Sequence, residues 1–260
     1  MKPLLGTYVE ISIEYSDDTA PINDWFGEAF ARIDALQQKL SIHSATSELN
    51  QINLNPNVWI PISRDSRRLL QLAMILMHKS DGLFNPTLGA NLLGHGIVDD
   101  LGFGKRAPFG SVHALSFSGD KVKLNEYVIV CLDGIAKGYA LDLALKSLQR
   151  LGCEHASINA GGDIKAIGAR RVPIQPKFAS HPIGFLQNAA MATSGTYHSE
   201  SHRSRLMDEK GVIMPTGNEQ WSVLAFSAWR ADALTKVAAQ TQGDEHLLAM
   251  LGGRLLPSTC

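Results

Sequence analysis

The sequence has little cysteine and almost no net charge, and each shortage excludes a class of protein. The 260 residues include only Cys131, Cys153 and Cys260, which are too scattered for a disulfide framework or a zinc site. This cysteine usage is typical of a reducing compartment. The formal net charge is −1 and no basic run is present, so we expect neither a nucleic-acid surface nor an electrostatic membrane anchor.

The amino-terminal segment lacks the features of a targeting signal. MKPLLGTYVEI passes directly into strand-like alternation, without a long apolar core and without an early cysteine for lipid attachment. We therefore expect no signal peptide, no lipobox and no transmembrane segment. If the sequence begins at its natural start, the expected location is the cytoplasm.

Hydrophobic residues make up 45% of the chain, enough to form the core of one large domain or of two closely packed halves. Strands and helices are predicted without regular βαβ alternation, which favours the α+β class. No repeat or linker is visible, so we expect a single compact domain over residues 1–260. The predicted strands are GTYVEISIEY, VHALSFS, EYVIVCL, the two halves of HASINAGGDIKAIG, and WSVLAFSA; the predicted helices cover 25–40, 66–80, the segment after Gly138 and the segment from about Ala231.

A glycine-containing turn in LDGIAKGYA, residues 132–140, joins an apolar strand to a helix. The free N–H groups and the dipole at a helix start favour an anion, and Lys137 adds a positive charge there. The segment is neither a dinucleotide-binding fingerprint nor a P-loop, so by itself it favours a structural turn.

Three further segments contain candidate functional residues, and two of them allow two interpretations each. NAGGD, residues 159–163, is either a hairpin turn with Asp163 bonding its own backbone or a close approach to a ligand. ATSG, residues 192–195, is predicted as a hydroxyl-rich turn, and His198 and His202 follow it. Asp232 and Thr235 can cap a helix start, or they can bind a divalent cation, which prefers oxygen ligands.

In their order along the chain, these segments resemble the ApbE-type FAD:protein FMN transferase family. The resemblance spans most of the chain and implies an ApbE-like domain. The matching segments are LGT (5–7), Ser41 followed by SEL (47–49) and Asn53, GLFNPTLG (82–89), LDGIAKGYA (132–140), NAGGD (159–163), ATSG (192–195) and ADAL (231–234).

The resemblance implies a specific reaction. Such enzymes bind FAD with Mg²⁺ on its diphosphate, transfer FMN to a threonine or serine hydroxyl of a target flavoprotein and release AMP. This is phosphoryl transfer, so positioning and charge neutralisation should dominate catalysis. Carried over by position, the metal ligands are the carbonyl of Gly134, the carboxylate of Asp232 and the hydroxyl of Thr235. The implied FAD contacts are Leu5, Leu93, Gly94, His95, Cys131, Lys137, Thr193 and Met207.

The sequence departs from the family pattern at three important positions. Cys131 replaces an aspartate that contacts the flavin nucleotide. Arg205 falls where the family has a histidine that assists deprotonation of the acceptor, and an arginine cannot act as a base, although it can bind phosphate. His202 and His198 are candidate substitutes, so the predicted catalytic residues are Arg205 and His202.

The third departure is at the metal site. Lys236 occupies the place of the family's metal-binding threonine, and Thr235 stands one residue earlier, which rotates its hydroxyl by about 100° around the helix. The site is then altered, weak or absent, and Lys236 is a candidate for part of the cation's charge. Besides the transferase, the sequence leaves open an FAD-binding protein without transfer chemistry, an FAD pyrophosphatase releasing FMN and AMP, and a module that binds no flavin.

Overall fold

Helices and antiparallel strands are mixed along the chain, which confirms the α+β class. The computed structural model describes residues 1–15, 20–175, 181–196 and 206–256. In these ranges the strands are β1 (Lys2–Leu4), β2 (Thr7–Glu14), β3 (Trp59–Pro61), β4 (Leu115–Ser118), β5 (Lys121–Leu124), β6 (His155–Ala160), β7 (Asp163–Ile167), β8 (Val172–Ile174), β9 (Gly184–Leu186), β10 (Ala190–Gly195), β11 (Gln220–Ala225) and β12 (Gly253–Leu255). The helices are α1 (Ile22–Leu40), α2 (Glu48–Leu54), α3 (Arg64–Lys79), α4 (Gly89–Gly94), α5 (Ala136–Arg150), α6 (Ala228–Gln240) and α7 (Glu245–Met250).

The chain divides into two compact units, each assembled from separate stretches of sequence. The first unit comprises Met1–Ala35, Lys137–Gly195 and Glu219–Cys260. The second comprises Leu36–Ala136 and Thr196–Asn218. Within the described part of the chain, no helix has the length and apolar character needed to cross a membrane.

The first unit is built on a seven-stranded sheet in the order β1-β2-β6-β7-β10-β11-β12, in which every neighbouring pair is antiparallel. The alternation predicted for β2 is present: Val9 and Ile11 are buried, whereas Glu10 between them is exposed. Helix α6 packs on β10 and β11 and buries Leu234 and Val237. Removal of such apolar side chains from water favours the packing of α6 on the sheet.

The second unit contains the three-stranded sheet β3-β5-β4 and the amphipathic helix α3. Its serine- and asparagine-rich segment has a structural role. The Ser47 hydroxyl caps α2 by accepting a hydrogen bond from the Asn50 N–H at 3.0 Å. The Asn53 side chain donates to the Val130 carbonyl at 2.9 Å and accepts from the Val130 N–H at 2.8 Å. The SEL segment with Asn53 therefore caps α2 and joins this helix to the backbone at Val130.

The prediction of a strand at EYVIVCL is wrong. The backbone of Val130 bonds to the Asn53 side chain instead of a neighbouring strand, and the segment makes only an isolated bridge between Ile129 and Leu88. The strand that follows VHALSFS is β5, which pairs with β4 across a turn at Gly119, where φ is +57°. The alternating KVKL sequence after that glycine was the local signal for β5.

Candidate functional site

Two buried carboxylates and two lysines form a cluster in the first unit, which we call the four-charge cluster: Lys137, Asp163, Asp232 and Lys236. Lys137 lies in the first turn of α5, Asp163 begins β7, and the other two lie one helical turn apart on α6. The side chains of Asp163 and Asp232 are 3% and 1% exposed, whereas those of Lys137 and Lys236 are 28% and 23% exposed. The cluster therefore turns its cations toward solvent and its anions toward the core.

Asp232 is held by its own helix and by the start of α5. Its Oδ1 accepts a hydrogen bond from Lys236 Nζ at 2.6 Å, and its Oδ2 accepts one from the Gly138 N–H at 3.0 Å. A Cβ at position 138 would lie 2.2 Å from the carbonyl oxygen of Ala228. Glycine is therefore required at this position of GIAKGYA because the two helix starts approach so closely.

The interpretation of Asp232 as a helix cap is wrong. Helix α6 begins at Ala228, one turn earlier than predicted, so Asp232 lies in its second turn. The first N–H groups of α6 donate to the carboxylate of Asp142, from Ala228 at 3.0 Å and from Trp229 at 2.9 Å. Asp142 was missed in the sequence, because no local pattern distinguishes its face of α5, which also carries the exposed Lys146 and Gln149, from an ordinary solvated face.

Asp163 connects the NAGGD turn to α5 and to β10. Its Oδ2 forms an ion pair with Lys137 Nζ at 2.6 Å, and its Oδ1 accepts a hydrogen bond from the Thr193 N–H at 3.3 Å. The turn itself is closed by Asn159, whose Oδ1 accepts from the Gly162 N–H at 2.9 Å. The alternative in which Asp163 only bonds its own turn is therefore wrong.

The ATSG segment is a strand and not the predicted turn. Thr193, Ser194 and Gly195 pair with Ser222, Trp221 and Gln220 across the β10–β11 ladder, which extends β10 to Gly195. The Thr193 hydroxyl lies 2.8 Å from the Ser222 hydroxyl, and the Ser194 hydroxyl lies 2.7 Å from that of Thr235. The ladder keeps these hydroxyls beside the four-charge cluster.

The charges of the cluster shift one another's pKa values. Burial raises the pKa of the Asp163 carboxyl, and the nearby charge of Asp232 raises it further against the opposing effect of Lys137. Burial also acts to raise the pKa of Asp232, but Lys236 and Lys137 outweigh it and the pKa is lowered. Burial acts to lower the pKa of Lys137, and Asp163 with Asp232 reverses that effect. Asp232 is therefore ionised at neutral pH.

The two metal ligands predicted in this unit, Asp232 and Thr235, already use their side-chain oxygens in hydrogen bonds within the protein. Both Asp232 carboxylate oxygens accept hydrogen bonds, and the Thr235 hydroxyl donates to the Asp232 carbonyl at 2.7 Å. In the described ranges, no group of three histidine, cysteine, aspartate or glutamate side chains is arranged to hold a metal ion. These contacts do not fit a resident divalent cation between Asp232 and Thr235. The role of Gly134, in the loop before α5, stays a prediction.

Predicted FAD contacts in the second unit lie on three neighbouring segments. Cys131 is buried, and its N–H donates to the Pro86 carbonyl of the GLFNPTLG segment at 2.8 Å. Leu93, Gly94 and His95 form the end of α4. Met207 begins a hairpin in which a Cβ at Gly211 would lie 1.9 Å from the Asn91 side chain of α4. The structure thus brings the Met207 hairpin against the helix that carries Leu93 and Gly94.

Leu5 occupies the tight turn between β1 and β2. Leu5 and Gly6 have φ values of +56° and +70°, which match a two-residue type I′ turn. Thr7, directly after this turn, approaches the NAGGD glycines, since a Cβ at Gly161 would lie 2.5 Å from its hydroxyl oxygen. The opening LGT segment is therefore packed against the turn that precedes Asp163.

The two residues predicted to be catalytic, Arg205 and His202, lie outside the described residues, and so does His198. Their assignment stays a prediction. The ligand roles predicted for Leu5, Cys131, Lys137, Thr193 and the other contacts also stay predictions.

This chain is similar in sequence to a known protein family and to two named transferases. The sequence profile of the ApbE family matches residues 5–254. A protein named FAD:protein FMN transferase from Rhodobacter capsulatus is 29% identical over 220 residues, which is 72% of this chain and 41% of that protein. One with the same name from Haemophilus influenzae is 26% identical over 265 residues, covering 86% of this chain and 75% of that protein. This chain thus spans less than half the length of the first relative.

Solved structures show the same fold. The apo flavinyl transferase ApbE from Pseudomonas stutzeri superimposes with a TM-score of 0.78 at 25% identity, over 96% of this chain and 85% of the other. The ApbE protein from Thermotoga maritima superimposes with a TM-score of 0.80 at 24% identity, over 97% of this chain and 91% of the other.

Proposed function

Because the chain belongs to the ApbE family, we propose that residues 1–260 act together as an FAD:protein FMN transferase domain. Its substrates would be FAD and a target flavoprotein that presents a threonine or serine hydroxyl. The products would be a flavoprotein carrying covalent FMN, and AMP.

One observation supports this proposal most strongly. Three segments that resemble family motifs meet at the four-charge cluster: GIAKG supplies Lys137 and the Gly138 N–H, NAGGD supplies Asp163, and ADAL supplies Asp232. Folding alone does not explain why two helix starts pack so closely around buried charges. A buried ion pair is often no more stabilising than an apolar contact of similar size. Binding of an anionic dinucleotide would explain why the cluster is present.

In the proposed reaction one phosphorus–oxygen bond breaks and another forms. The acceptor hydroxyl oxygen attacks the phosphorus of the FMN half, and the bond from that phosphorus to the bridging oxygen breaks. The electron pair leaves with AMP. The hydroxyl proton must pass to a base, for which His202 is the proposed group, while the Arg205 guanidinium is suited to hold phosphate oxygens.

In the first unit, Lys137 is proposed to lie against the FAD diphosphate, with Leu5 and Thr193 as further contacts. Leu93, Gly94, His95, Cys131 and Met207 are the contacts proposed for the second unit. A magnesium ion, where bound by Gly134, Asp232 and Thr235, would supply charge neutralisation at the diphosphate. The existing contacts of Asp232 and Thr235 disfavour that ion, so we assign charge neutralisation to the lysines.

The transfer assay uses the full chain, FAD and a purified flavoprotein domain with a threonine acceptor, with its threonine-to-valine variant as the control. We expect covalent FMN on the first domain by intact mass, equimolar AMP by chromatography, and neither with the valine variant. AMP and FMN without an acceptor would identify an FAD pyrophosphatase instead. Tight FAD binding with no product would identify a flavin-binding protein without transfer chemistry, the alternative favoured by Arg205 at the histidine position.

A further inference from the structure

We propose that the Lys236 ammonium takes the place of a divalent cation beside Asp232, so that the chain binds the FAD diphosphate without a metal. This inference rests on the proposed function, because it assumes that FAD is the ligand. It concerns the binding step and names the group that supplies positive charge there.

The ammonium of Lys236 is bound where a hard cation would need oxygen ligands. Lys236 Nζ lies 2.6 Å from Oδ1 of Asp232 and 3.0 Å from the carbonyl oxygen of the same residue. A divalent cation at Asp232 would need its carboxylate, and Oδ1 of that carboxylate already has a positive partner from the same helix. An ammonium has three N–H donors, and the two contacts use two of them. The third donor suits a phosphate oxygen.

The hydroxyl of Thr235 does not offer a free metal ligand. It donates to the Asp232 carbonyl at 2.7 Å and lies 2.7 Å from the Ser194 hydroxyl, and its side chain is fully buried. A metal at this oxygen would have to compete with the Ser194 hydroxyl for the lone pairs of Thr235 and would weaken the contact between α6 and β10. The cost of leaving buried polar groups without partners opposes that change.

The distribution of charge in the four-charge cluster suits an anion approaching from solvent. Asp163 and Asp232 are buried behind Lys137 and Lys236, whose side chains remain about a quarter exposed. The approaching anion meets two ammonium groups first, and the carboxylates hold those groups in position. Lysine is a compact charge that binds phosphate well. Two lysines therefore supply the positive charge that a metal would otherwise bring.

The test measures FAD affinity of the full-length chain by quenching of flavin fluorescence, in excess EDTA and in excess Mg²⁺. We expect the two Kd values to agree within about twofold. Lys236→Met, which keeps most of the unbranched side chain and removes its charge, should weaken FAD binding in EDTA at least about tenfold, or about 1.4 kcal/mol. Lys146→Met, which changes an exposed lysine elsewhere on α5, is the matched control and should leave Kd unchanged.

A second variant tests the exchange of cations directly. Lys236→Thr places a hydroxyl one helical turn after Asp232 and removes the ammonium. We expect its FAD binding to be weak in EDTA and restored by Mg²⁺, and Mg²⁺ alone should raise its melting temperature but not that of the natural chain. Circular dichroism of each variant confirms that it is folded.

Two results would overturn the proposal in distinguishable ways. If the natural chain binds FAD in Mg²⁺ but more than about tenfold more weakly in EDTA, the lysine does not replace the metal, and the transferase proposal stands. If the natural chain binds FAD in neither buffer, the proposed function fails together with this inference. The comparison of the natural chain in two buffers decides the question even where a variant does not fold.

Discussion

Asp232 remains ionised at a fully buried position because two cations and a backbone N–H compensate for lost hydration. Its contacts with Lys236 and Gly138 satisfy both carboxylate oxygens. The i to i+4 relation between Asp232 and Lys236 was readable from helical spacing. The contact with Gly138 was not, because it joins residues 94 positions apart in sequence.

Asp232→Asn should destabilise the chain by about 3 kcal/mol, because it leaves the Lys236 ammonium without its buried carboxylate partner. The measurement is urea-induced unfolding at pH 7. Asp99→Asn, at an exposed position, is the control and should change stability by less than about 0.5 kcal/mol. An equal effect of the two substitutions would show that the buried ion pair contributes nothing specific.

The stability contributed by Asp232 should depend on pH. The pKa of Asp232 in the folded chain lies below its ordinary value of 3.8, so its contribution is present above that pH and is lost as the pH falls through the folded-state pKa. The difference in unfolding free energy between the natural chain and Asp232→Asn should therefore shrink as the pH is lowered below 3.8. A difference that stays constant over this range would contradict the lowered pKa.

At the scale of elements, the start of α6 is fixed by a residue of another helix. The cap position Ser227 makes no side-chain hydrogen bond, and Asp142 of α5 accepts the N–H groups of Ala228 and Trp229 instead. Lys165 of β7 supports this carboxylate from 3.7 Å and donates to the Phe226 carbonyl. Burial raises the pKa of Asp142, against the opposing effect of the Ala228 and Trp229 N–H groups and of Lys165, and burial lowers the pKa of Lys165 against the opposing effect of Asp142.

Asp142→Ala should destabilise the chain by about 1–2 kcal/mol, because the first N–H groups of α6 lose their acceptor. Asp142→Asn keeps one acceptor oxygen and should cost less. Thermal unfolding of the two variants measures the difference. If alanine and asparagine have equal effects, the hydrogen bonds to α6 are not the source of the stability.

The approach of α5 to α6 depends on one glycine. Gly138→Ala would place a Cβ 2.2 Å from a backbone oxygen, and we expect it to destabilise the chain by about 1–3 kcal/mol through overpacking and to weaken FAD binding. Gly27→Ala in α1, where a Cβ meets nothing within 4 Å, is the matched control and should stabilise by up to about 1 kcal/mol. Denaturant unfolding and FAD titration check both. A neutral Gly138→Ala would contradict the close packing.

At the scale of the whole molecule, sequence patterns predicted the fold class and most helices because these follow from local periodicity. The helices over residues 25–40 and 66–80 correspond to α1 and α3 with small shifts at their starts. The strand at EYVIVCL failed because its partner is the Asn53 side chain, which no local pattern reveals. The ion pair of Lys137 with Asp163 was equally hidden, since it depends on the packing of a helix start against a sheet.

Some residues of the family motifs have structural roles in this chain that the resemblance did not describe. Gly138 is needed for close helix packing, and Asn159 closes the NAGGD turn. The resemblance alone did not distinguish these structural roles from contact with a ligand. Lys236 is the clearest departure, because the structure places its charge directly on Asp232.

The most direct test of this account is a crystal structure of the chain grown with FAD in the presence of EDTA. We predict that the FAD diphosphate lies within hydrogen-bond distance of Lys137 Nζ and Lys236 Nζ, with Asp163 and Asp232 behind them. A diphosphate bound away from the four-charge cluster would contradict the account.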